Sequence, residues 1–266
     1  MYTRADGTLR LVITQPMLMP WHGFFSQLLL SDRVLIYDDV QLPRGGGAGR
    51  GFMTRVQIKT ARGCEWLSIP VKRSGRGNQS ICDALTADTD WRREHLARIT
   101  LAYNKAQFYE SIFEKVVVPI YENKSQYLAD FLIFSIESIA SVLGMQVPFE
   151  RSSAGDWGSE LSSTDRVIHI CKRVGASDYL SGNGGMHYLE YEPFEANRIR
   201  VHYMEYDLKD YTQLHGDFTP FVSIIDLLFC VGIDNALSFL NSKPVYWRNW
   251  PNKIKGRPVF RFTAPE

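Results

Sequence analysis

The sequence has few cysteines, and these are spread along the chain. Its four thiols form no CxxC pair and do not cluster with histidine; they are Cys64, Cys82, Cys171 and Cys230. Structural zinc sites draw their ligands from closely spaced Cys and His residues, so the spacing argues against such a site and no bound metal is predicted. Free thiols in a reducing compartment are the expected state.

Long apolar runs are also missing. The most apolar segment, FVSIIDLLFCVG, is interrupted by Asp226 and is shorter than the roughly 20 residues that a membrane-spanning helix needs. The first residues, MYTRADGTLRLVITQP, lack the apolar stretch of a secretory signal. We therefore predict a cytoplasmic protein without a membrane span.

Positive and negative side chains are almost equal in number. The chain has 30 Lys and Arg residues against 29 Asp and Glu residues, a formal net charge of +1. Overall charge therefore predicts no polyanionic partner, although a local basic cleft would not change the total. The 266 residues, of which 45% are hydrophobic, are enough to enclose a substantial core.

The order of apolar patterns predicts an α/β fold. Short apolar runs at LRLVITQP and RVLIYDDV read as strands on either side of a helix, and FMTRVQIKT and CEWLSIPVK alternate around ARG as a hairpin does. Helical periodicity then dominates residues 89–145. A capped helix, two further strands and a buried helix follow. We predict one domain over residues 1–266, with a mixed sheet and a helical block inserted between its N-terminal and C-terminal strand regions.

The first candidate site flanks a glycine-rich run. Asp38 and Asp39 follow an apolar strand, where a carboxylate could act as a general base, although an acidic turn has the same pattern. The run RGGGAGRG matches no phosphate-binding motif. It is either a flexible connector or a loop that folds over a ligand, in which case Arg44 and Arg50 could hold phosphate.

Polar groups alternate along the strand after this run. Arg55, Gln57 and Lys59 share one face, which is either a solvated edge or a binding surface for an anionic or hydroxyl-rich ligand.

Two later loops carry further candidates. In YLSGNGGMHYLE a strand is followed by small residues and a predicted helix, so Ser181 and Gly182 are candidate contacts for an anion, although a tight turn explains the glycines equally well. In YDLKDYTQLHGDFTP, the side chains of Tyr211, Gln213 and His215 are candidates for substrate contacts or acid–base chemistry. Asp226, within an apolar helix, must be paired or face a cavity.

No familiar nucleophile is evident. The chain has no G-x-S-x-G motif, and Cys171 follows His169 by two residues on a predicted helix, so the two side chains point to different faces. One hypothesis is a hydrolase or amidotransferase that uses Cys171 or Cys64 as its nucleophile. Two further hypotheses are given below, and this one ranks third.

The chain resembles the WbqC family from about residue 11 to about residue 240. The resemblance lies in the segments ITQPMLMPWHGFFSQLLLSDRVLIYDDVQ, RVQIKTARGCEWLSIPV, DWRREHL, CKRVGASDYLSGNGGMHYL and YTQLHGDFTPFVSIIDLLFCVG. The family's opening motif falls on Gln15, Pro16, Pro20, Trp21, Gly23, Phe24, Asp32, Asp38, Asp39 and Gln41. Its N-R-x-x-I-K element falls on Arg55, Ile58 and Lys59, with Thr54 in place of the asparagine. Many members have histidine where this chain has Thr14, and nearby His22 is a candidate substitute.

The resemblance implies a role in bacterial surface-polysaccharide (O-antigen or lipopolysaccharide) biosynthesis. The expected reaction is transfer of an acyl or aminoacyl group to the amine of a nucleotide-linked amino sugar. The expected base is Asp38, Asp39, His215 or His22. Substrate contacts are expected from Gln15, Trp21, Gln41, Arg55, Lys59, Ser181, Gly182, Tyr211 and Gln213.

No permanently bound cofactor is expected. The donor could be acyl-CoA, an acyl carrier protein or aminoacyl-tRNA, so a carrier of the acyl group is a further expected partner. The alternative hypothesis is a non-catalytic module that binds a sugar nucleotide or serves as a scaffold in a polysaccharide assembly complex. The absence of a nucleophile or cofactor motif favours that alternative.

Overall fold

The computed structural model describes residues 7–43, 52–254 and 256–258. Arg44, Arg50 and the glycine run at 45–51 lie outside the described residues. The strands, in chain order, are β1 (Arg10–Thr14), β2 (Arg33–Ile36), β3 (Arg55–Thr60), β4 (Gly63–Ser68), β5 (Phe149–Arg151), β6 (Asp178–Ser181), β7 (Arg200–Glu205), β8 (Lys243–Tyr246), β9 (Lys253–Ile254) and β10 (Arg257–Pro258).

The helices separate the strand regions as the sequence predicts. In chain order they are α1 (His22–Leu29), α2 (Trp91–Tyr103), α3 (Tyr109–Ile112), α4 (Val118–Glu122), α5 (Leu128–Val142), α6 (Ser163–Val174), α7 (Tyr191–Ala196), α8 (Ile224–Val231) and α9 (Ile233–Ala236). A π-helical turn, Phe113–Val117, joins α3 to α4. The helices α2 to α5 form the predicted block between the hairpin and the C-terminal strands.

Six strands form the central sheet in the order β5-β2-β1-β6-β7-β8. The first five are parallel, and β8 pairs antiparallel with β7. The chain moves outward from β1 to β2 on one side, then crosses back to β6 on the other side. The strand order therefore reverses between β1 and β6, and the loops that leave these two strands diverge and leave a crevice. The predicted α/β class with a mixed sheet is confirmed.

Both faces of the sheet are covered, as expected for parallel strands. Val12 of β1 belongs to a core shared with α1, the helical block and α8. Its neighbours Leu11 and Ile13 belong to a second core, shared with α6 and α7. Since successive strand residues face opposite ways, one strand contributes to both cores.

The hairpin of β3 and β4 lies outside this sheet. The hairpin is as predicted, but its loop is shorter than the three residues ARG: Thr60 pairs with Gly63, so two residues join the strands. Gly63 has a φ of +110°, which favours glycine at this position.

The two edge strands of the central sheet were not predicted from the sequence, and neither were the short strands β9 and β10. β5 consists of three half-buried residues, and β8 contains Lys243 and Pro244. Edge strands commonly carry charged residues and proline, so they lack the apolar alternation that identifies central strands.

The helix α1 begins at His22, two residues later than Pro20, the first helical position that the sequence predicts. The Trp21 indole lies against Gly23, where a Cβ atom would come within 2.2 Å of the ring. The indole therefore covers the N-terminus of α1. Within the described ranges, no helix has both the length and the apolar character needed to cross a membrane.

Candidate functional site

A cleft of about 1140 Å³ opens at the carboxyl ends of β1, β6 and β7. Its wall includes Gln15 after β1, Ser181 and Gly182 at the end of β6, and Glu205 at the end of β7. In open sheets with parallel strands, ligands bind outside the carboxyl ends of the strands where the strand order reverses. The cleft occupies that position, between β1 and β6.

The hairpin closes the cleft from outside the sheet and contributes Arg55 and Gln57 to its wall. The Arg55 guanidinium lies over the Trp66 ring, 4.3 Å from its centroid. Its Nε atom is buried and has no hydrogen-bond partner among the described residues. Stacking on the indole holds the guanidinium in place at the cleft wall, where a guanidinium is a suitable partner for an anionic group.

The described lining of the cleft carries one charged group of each sign. Among the lining residues that the structure describes, Arg55 is the sole arginine or lysine and Glu205 the sole aspartate or glutamate, with His187 also present. Glu205 and His187 are exposed. The described lining is thus complementary to a ligand with an anionic group and a cationic group.

Aromatic side chains form one wall of the cleft. The Trp21 ring packs edge-on against Tyr206 at a centroid distance of 4.7 Å and lies 4.9 Å from Phe221. Burial raises the pKa of Tyr206, so its hydroxyl stays protonated at neutral pH. Such a wall suits the flat face of a base or of a sugar ring.

A compact turn after β6 forms the floor between β1 and β7. A Cβ atom at Gly185 would lie 2.3 Å from the Ser181 Oγ atom, so the turn requires glycine there. Cβ atoms at Gly182 and Gly184 would have no neighbour within 4 Å. The chain is therefore open to close approach at these two glycines.

The predicted carboxylates Asp38 and Asp39 lie outside the cleft lining. Asp38 is fully buried and accepts hydrogen bonds from the Arg151 Nε atom at 2.8 Å and from the Ser153 amide at 2.9 Å. Asp39 accepts from the Ser152 hydroxyl at 2.6 Å and pairs with the Arg166 guanidinium. Both carboxylates tie the end of β2 to neighbouring elements, and the general-base role predicted for them stays a prediction.

Lys59, Tyr211 and Gln213 meet in a buried polar network, also outside the cleft lining. The Lys59 ammonium donates to Gln213 Oε1 at 2.6 Å and to the Asp217 carbonyl. Gln213 and Tyr211 both donate to Asp226 Oδ1, at 2.9 and 2.8 Å. Burial raises the pKa of Asp226, and the hydrogen bonds from Tyr211, Tyr103 and Gln213 oppose that rise. Asp226 is thus paired, as its place in an apolar helix requires.

The remaining predicted residues also lie apart from the cleft lining. His215 donates from Nε2 to the Ala102 carbonyl at 2.8 Å, and Gln41 is exposed and forms a β-bridge with Ser80. His22 is buried beneath Trp21, and burial lowers its pKa to about 4. The His22 imidazole is therefore neutral at pH 7.

Neither cysteine of the third hypothesis lines the cleft. Cys171 is buried, and burial raises its pKa to about 12, which disfavours the reactive thiolate. Cys64 is exposed at the start of β4. No group of three or more His, Cys, Asp or Glu residues in the described part of the chain could hold a metal ion.

The structure thus brings together five of the predicted contacts and adds others. The predicted residues in the cleft wall are Gln15, Trp21, Arg55, Ser181 and Gly182. The sequence analysis missed Asn183, although it lies in the turn identified from its glycines, and Glu205, which closes a strand that was predicted. The signal for both was a polar side chain at a strand end.

Comparisons with known proteins identify the family of the chain. The model of the WbqC-like protein family matches residues 15–237. The uncharacterized protein Rv1507c of Mycobacterium tuberculosis (strain ATCC 25618 / H37Rv) is 33% identical over 229 residues, which cover 85% of this chain and 95% of that protein. No solved structure matches the chain. The chain belongs to the WbqC-like protein family.

Proposed function

We propose that the cleft binds a nucleotide-linked amino sugar and that the protein transfers an acyl or aminoacyl group to the sugar amine. The reaction would belong to bacterial surface-polysaccharide synthesis of the O-antigen type and would take place in the cytoplasm. The observation that carries the proposal is the presence of Arg55 and Glu205 in one cleft. A nucleotide-linked amino sugar has an anionic diphosphate and a cationic ammonium, which these two groups complement.

The size of the cleft supports a reaction between two substrates. Its volume of about 1140 Å³ exceeds the roughly 300–1,000 Å³ that is usual for a pocket with a single small ligand. A sugar nucleotide therefore leaves space for the end of an acyl donor. Acyl-CoA, an acyl carrier protein or aminoacyl-tRNA could each present such an end.

The chemistry of amide formation assigns a role to Glu205 in this proposal. The ammonium must lose a proton before its nitrogen attacks the acyl carbon, and the carboxylate that holds it is placed to take that proton. As the carbon–nitrogen bond forms, the carbonyl oxygen gains negative charge. When that oxygen re-forms the carbonyl, the carbon–sulfur or carbon–oxygen bond to the donor breaks, and the leaving thiolate or alkoxide takes the proton that Glu205 received. Donors on the turn at 181–184 are the candidates to stabilise that oxygen.

A second candidate is a protein that binds the sugar nucleotide without reacting with it. The positions of Asp38, Asp39 and His215 favour this alternative, because each has internal hydrogen-bond partners and none lines the cleft. The two candidates share the binding step and differ in whether the amine is acylated.

Calorimetry and mass spectrometry test both candidates. We expect UDP-glucosamine, with its amine and diphosphate, to bind the wild type, and Arg55→Ala and Glu205→Gln to weaken that binding. Arg62→Ala is the matched control, because Arg62 lies in the loop of the same hairpin with 83% of its side chain exposed. Acylated product supports the transferase; binding without product from any of the three donor classes supports the alternative. If no sugar nucleotide binds, both candidates fail.

A further inference from the structure

Asn183 lies in the cleft wall, and neither end of its amide is paired within the described part of the chain. It follows β6 at the start of a short 3-10 turn, Asn183–His187, and is 9% exposed. Its Nδ2 and Oδ1 atoms are both shielded from solvent, and neither has a hydrogen-bond partner among the described residues. Leaving such a group buried and unpaired costs folding free energy, so native proteins keep few of them.

The side-chain amide of Asn183 does not stabilise the turn in which it lies. Asparagine in turns usually hydrogen-bonds to the nearby backbone and so replaces a backbone contact. Here the turn is closed by other groups, because the Gly185 amide donates to the Gly182 carbonyl at 3.0 Å and the Ser181 hydroxyl donates to the same carbonyl at 3.0 Å. These two hydrogen bonds close the turn without the Asn183 side chain.

The surroundings of Asn183 are suited to contact with a ligand. The glycines on either side of it would meet open space with a Cβ atom, whereas Gly185 packs on Ser181 and fixes the turn. The Arg55 Nε atom, in the same cleft, is also buried without a partner. Two residues whose buried polar atoms have no partner among the described residues thus line one cavity at the reversal point of the sheet.

We infer that Asn183 is a specificity-determining residue that hydrogen-bonds through both amide atoms to a ligand group with a donor and an acceptor side by side. The inference rests on the proposed function and identifies what the cleft recognises beyond charge. In a sugar nucleotide, three groups have this chemistry: the hydrogen-bonding edge of the base, the neighbouring ribose hydroxyls, and a pair of neighbouring hydroxyls on the appended sugar. Because both amide atoms are shielded, pairing requires a change of the Asn183 rotamer, a change that commonly accompanies binding.

Asn183→Leu tests the inference through two measurements, thermal stability and ligand affinity, which should not fall together. Because the amide has no hydrogen-bond partner among the residues that the structure describes, its replacement by an apolar group of similar size should leave the thermal midpoint unchanged or raise it. The same variant should bind UDP-glucosamine at least tenfold more weakly than the wild type. Asn183→Asp, which exchanges the donor for an acceptor, should also bind at least tenfold more weakly and serves if the leucine variant does not fold.

Asn197→Leu is the matched control. Asn197 is exposed at the end of α7, and its amide donates to the Pro193 carbonyl at 2.9 Å. Its replacement should leave binding unchanged.

A panel of probes then identifies the group that Asn183 recognises. If the Asn183 variants lose affinity for UDP itself, the recognised group lies on the nucleoside. A loss that differs among UDP, CDP, GDP and ADP identifies the base, and an equal loss for all four identifies the ribose hydroxyls. If they lose affinity only for UDP-glucose, UDP-galactose or UDP-glucosamine and bind UDP normally, the sugar hydroxyls are recognised.

Three results would overturn the inference. Wild-type affinity for every probe in both Asn183 variants would remove the recognition role and leave the proposed function intact. A lower thermal midpoint with unchanged binding would show that the side chain is structural. Failure of the wild type to bind any probe would overturn the proposed function together with the inference.

Discussion

The Tyr103 hydroxyl donates a hydrogen bond to Asp226 Oδ2 at 2.9 Å and joins α2 to α8 in the interior of the protein. The same hydroxyl accepts a hydrogen bond from the Lys59 backbone amide at 3.0 Å. The strand that carries Arg55 is thus anchored to a buried carboxylate. The position of Arg55 in the cleft therefore depends on residues that do not line the cleft.

Removal of that carboxylate should destabilise the fold. Asp226→Leu leaves the Tyr103, Tyr211 and Gln213 donors without an acceptor in the interior, so we expect a loss of about 3–5 kcal/mol in the free energy of unfolding. Urea denaturation measures it. Asp234→Leu, at an exposed site on α9, is the control and should cost less than about 0.5 kcal/mol. Equal stability of the two variants would mean that the network contributes nothing.

Asp38 gives a test of whether its carboxylate is structural or catalytic. It is fully buried and is held by the Arg151 guanidinium and the Ser153 amide. We expect Asp38→Ala to lower the free energy of unfolding by about 3 kcal/mol, because it leaves buried donors unpaired. Binding of UDP-glucosamine below the unfolding temperature should be unchanged. Loss of product formation with normal stability would instead support the role as a base.

Stability should fall as the solution is acidified from pH 6.5 to pH 4. Burial lowers the pKa of His22 and of His95 to about 4, below the value near 6.5 of an unfolded histidine. Between these values the unfolded chain binds protons that the folded chain excludes, so stability is fully present above pH 6.5 and is lost toward pH 4. Each histidine accounts for about 3 kcal/mol.

Urea denaturation at several pH values checks this prediction. His95→Gln should remove about half of the histidine-dependent loss and leave the part due to His22. The same slope in the variant and the wild type would contradict the assignment to His95.

Arg55 should be sensitive even to conservative replacement. The planar guanidinium stacks on Trp66, and a lysine ammonium cannot reproduce both that stacking and a two-point contact with phosphate. Arg55→Lys should therefore weaken binding of UDP-glucosamine by about tenfold, and Trp66→Ala should weaken it to a similar extent. Titration calorimetry gives both values. If Arg55→Lys binds with wild-type affinity, Arg55 contributes only its positive charge, and the two-point contact with phosphate is contradicted.

Gly23→Ala should change the aromatic wall of the cleft, because it displaces the Trp21 indole. The added methyl group would lie 2.2 Å from the Trp21 ring, so the indole must shift, and its contacts with Tyr206 and Phe221 must change. We expect a loss of about 1–3 kcal/mol in stability and weaker ligand binding. Tryptophan fluorescence reports the displacement. Gly144→Ala, at a glycine without such contacts but with a positive φ, is a control that should lose stability without a change in binding.

The sequence predicted the elements whose own pattern identifies them. The central strands are apolar runs, the hairpin alternates around a short turn, and α6 ends at Val174 just before Gly175, whose φ is +72°. The edge strands β5 and β8 were missed, because a short edge strand is specified by its neighbour and needs no apolar run of its own.

The candidate site was predicted in part. The residues that local pattern and topology indicate were found, and those that depend on distant partners were not. Gln15, Ser181 and Gly182 follow parallel strands, whose ends meet at one edge of the sheet, so their place in the cleft follows from the topology. Asp38 also follows such a strand, yet the Arg151 side chain, 113 residues away in sequence, pairs with it. No local pattern indicates that pairing.

By itself, the sequence determined the α/β class, the central strands and the resemblance to the WbqC-like family, because local periodicity and short motifs carry that information. The tertiary structure alone decided which polar side chains face the cleft and which neutralise one another inside the fold. Pairs such as Lys59 with Gln213 or Tyr103 with Asp226 are far apart along the chain. A buried polar group takes whichever partner the packing of distant elements brings within reach, and that choice is made only when the chain folds.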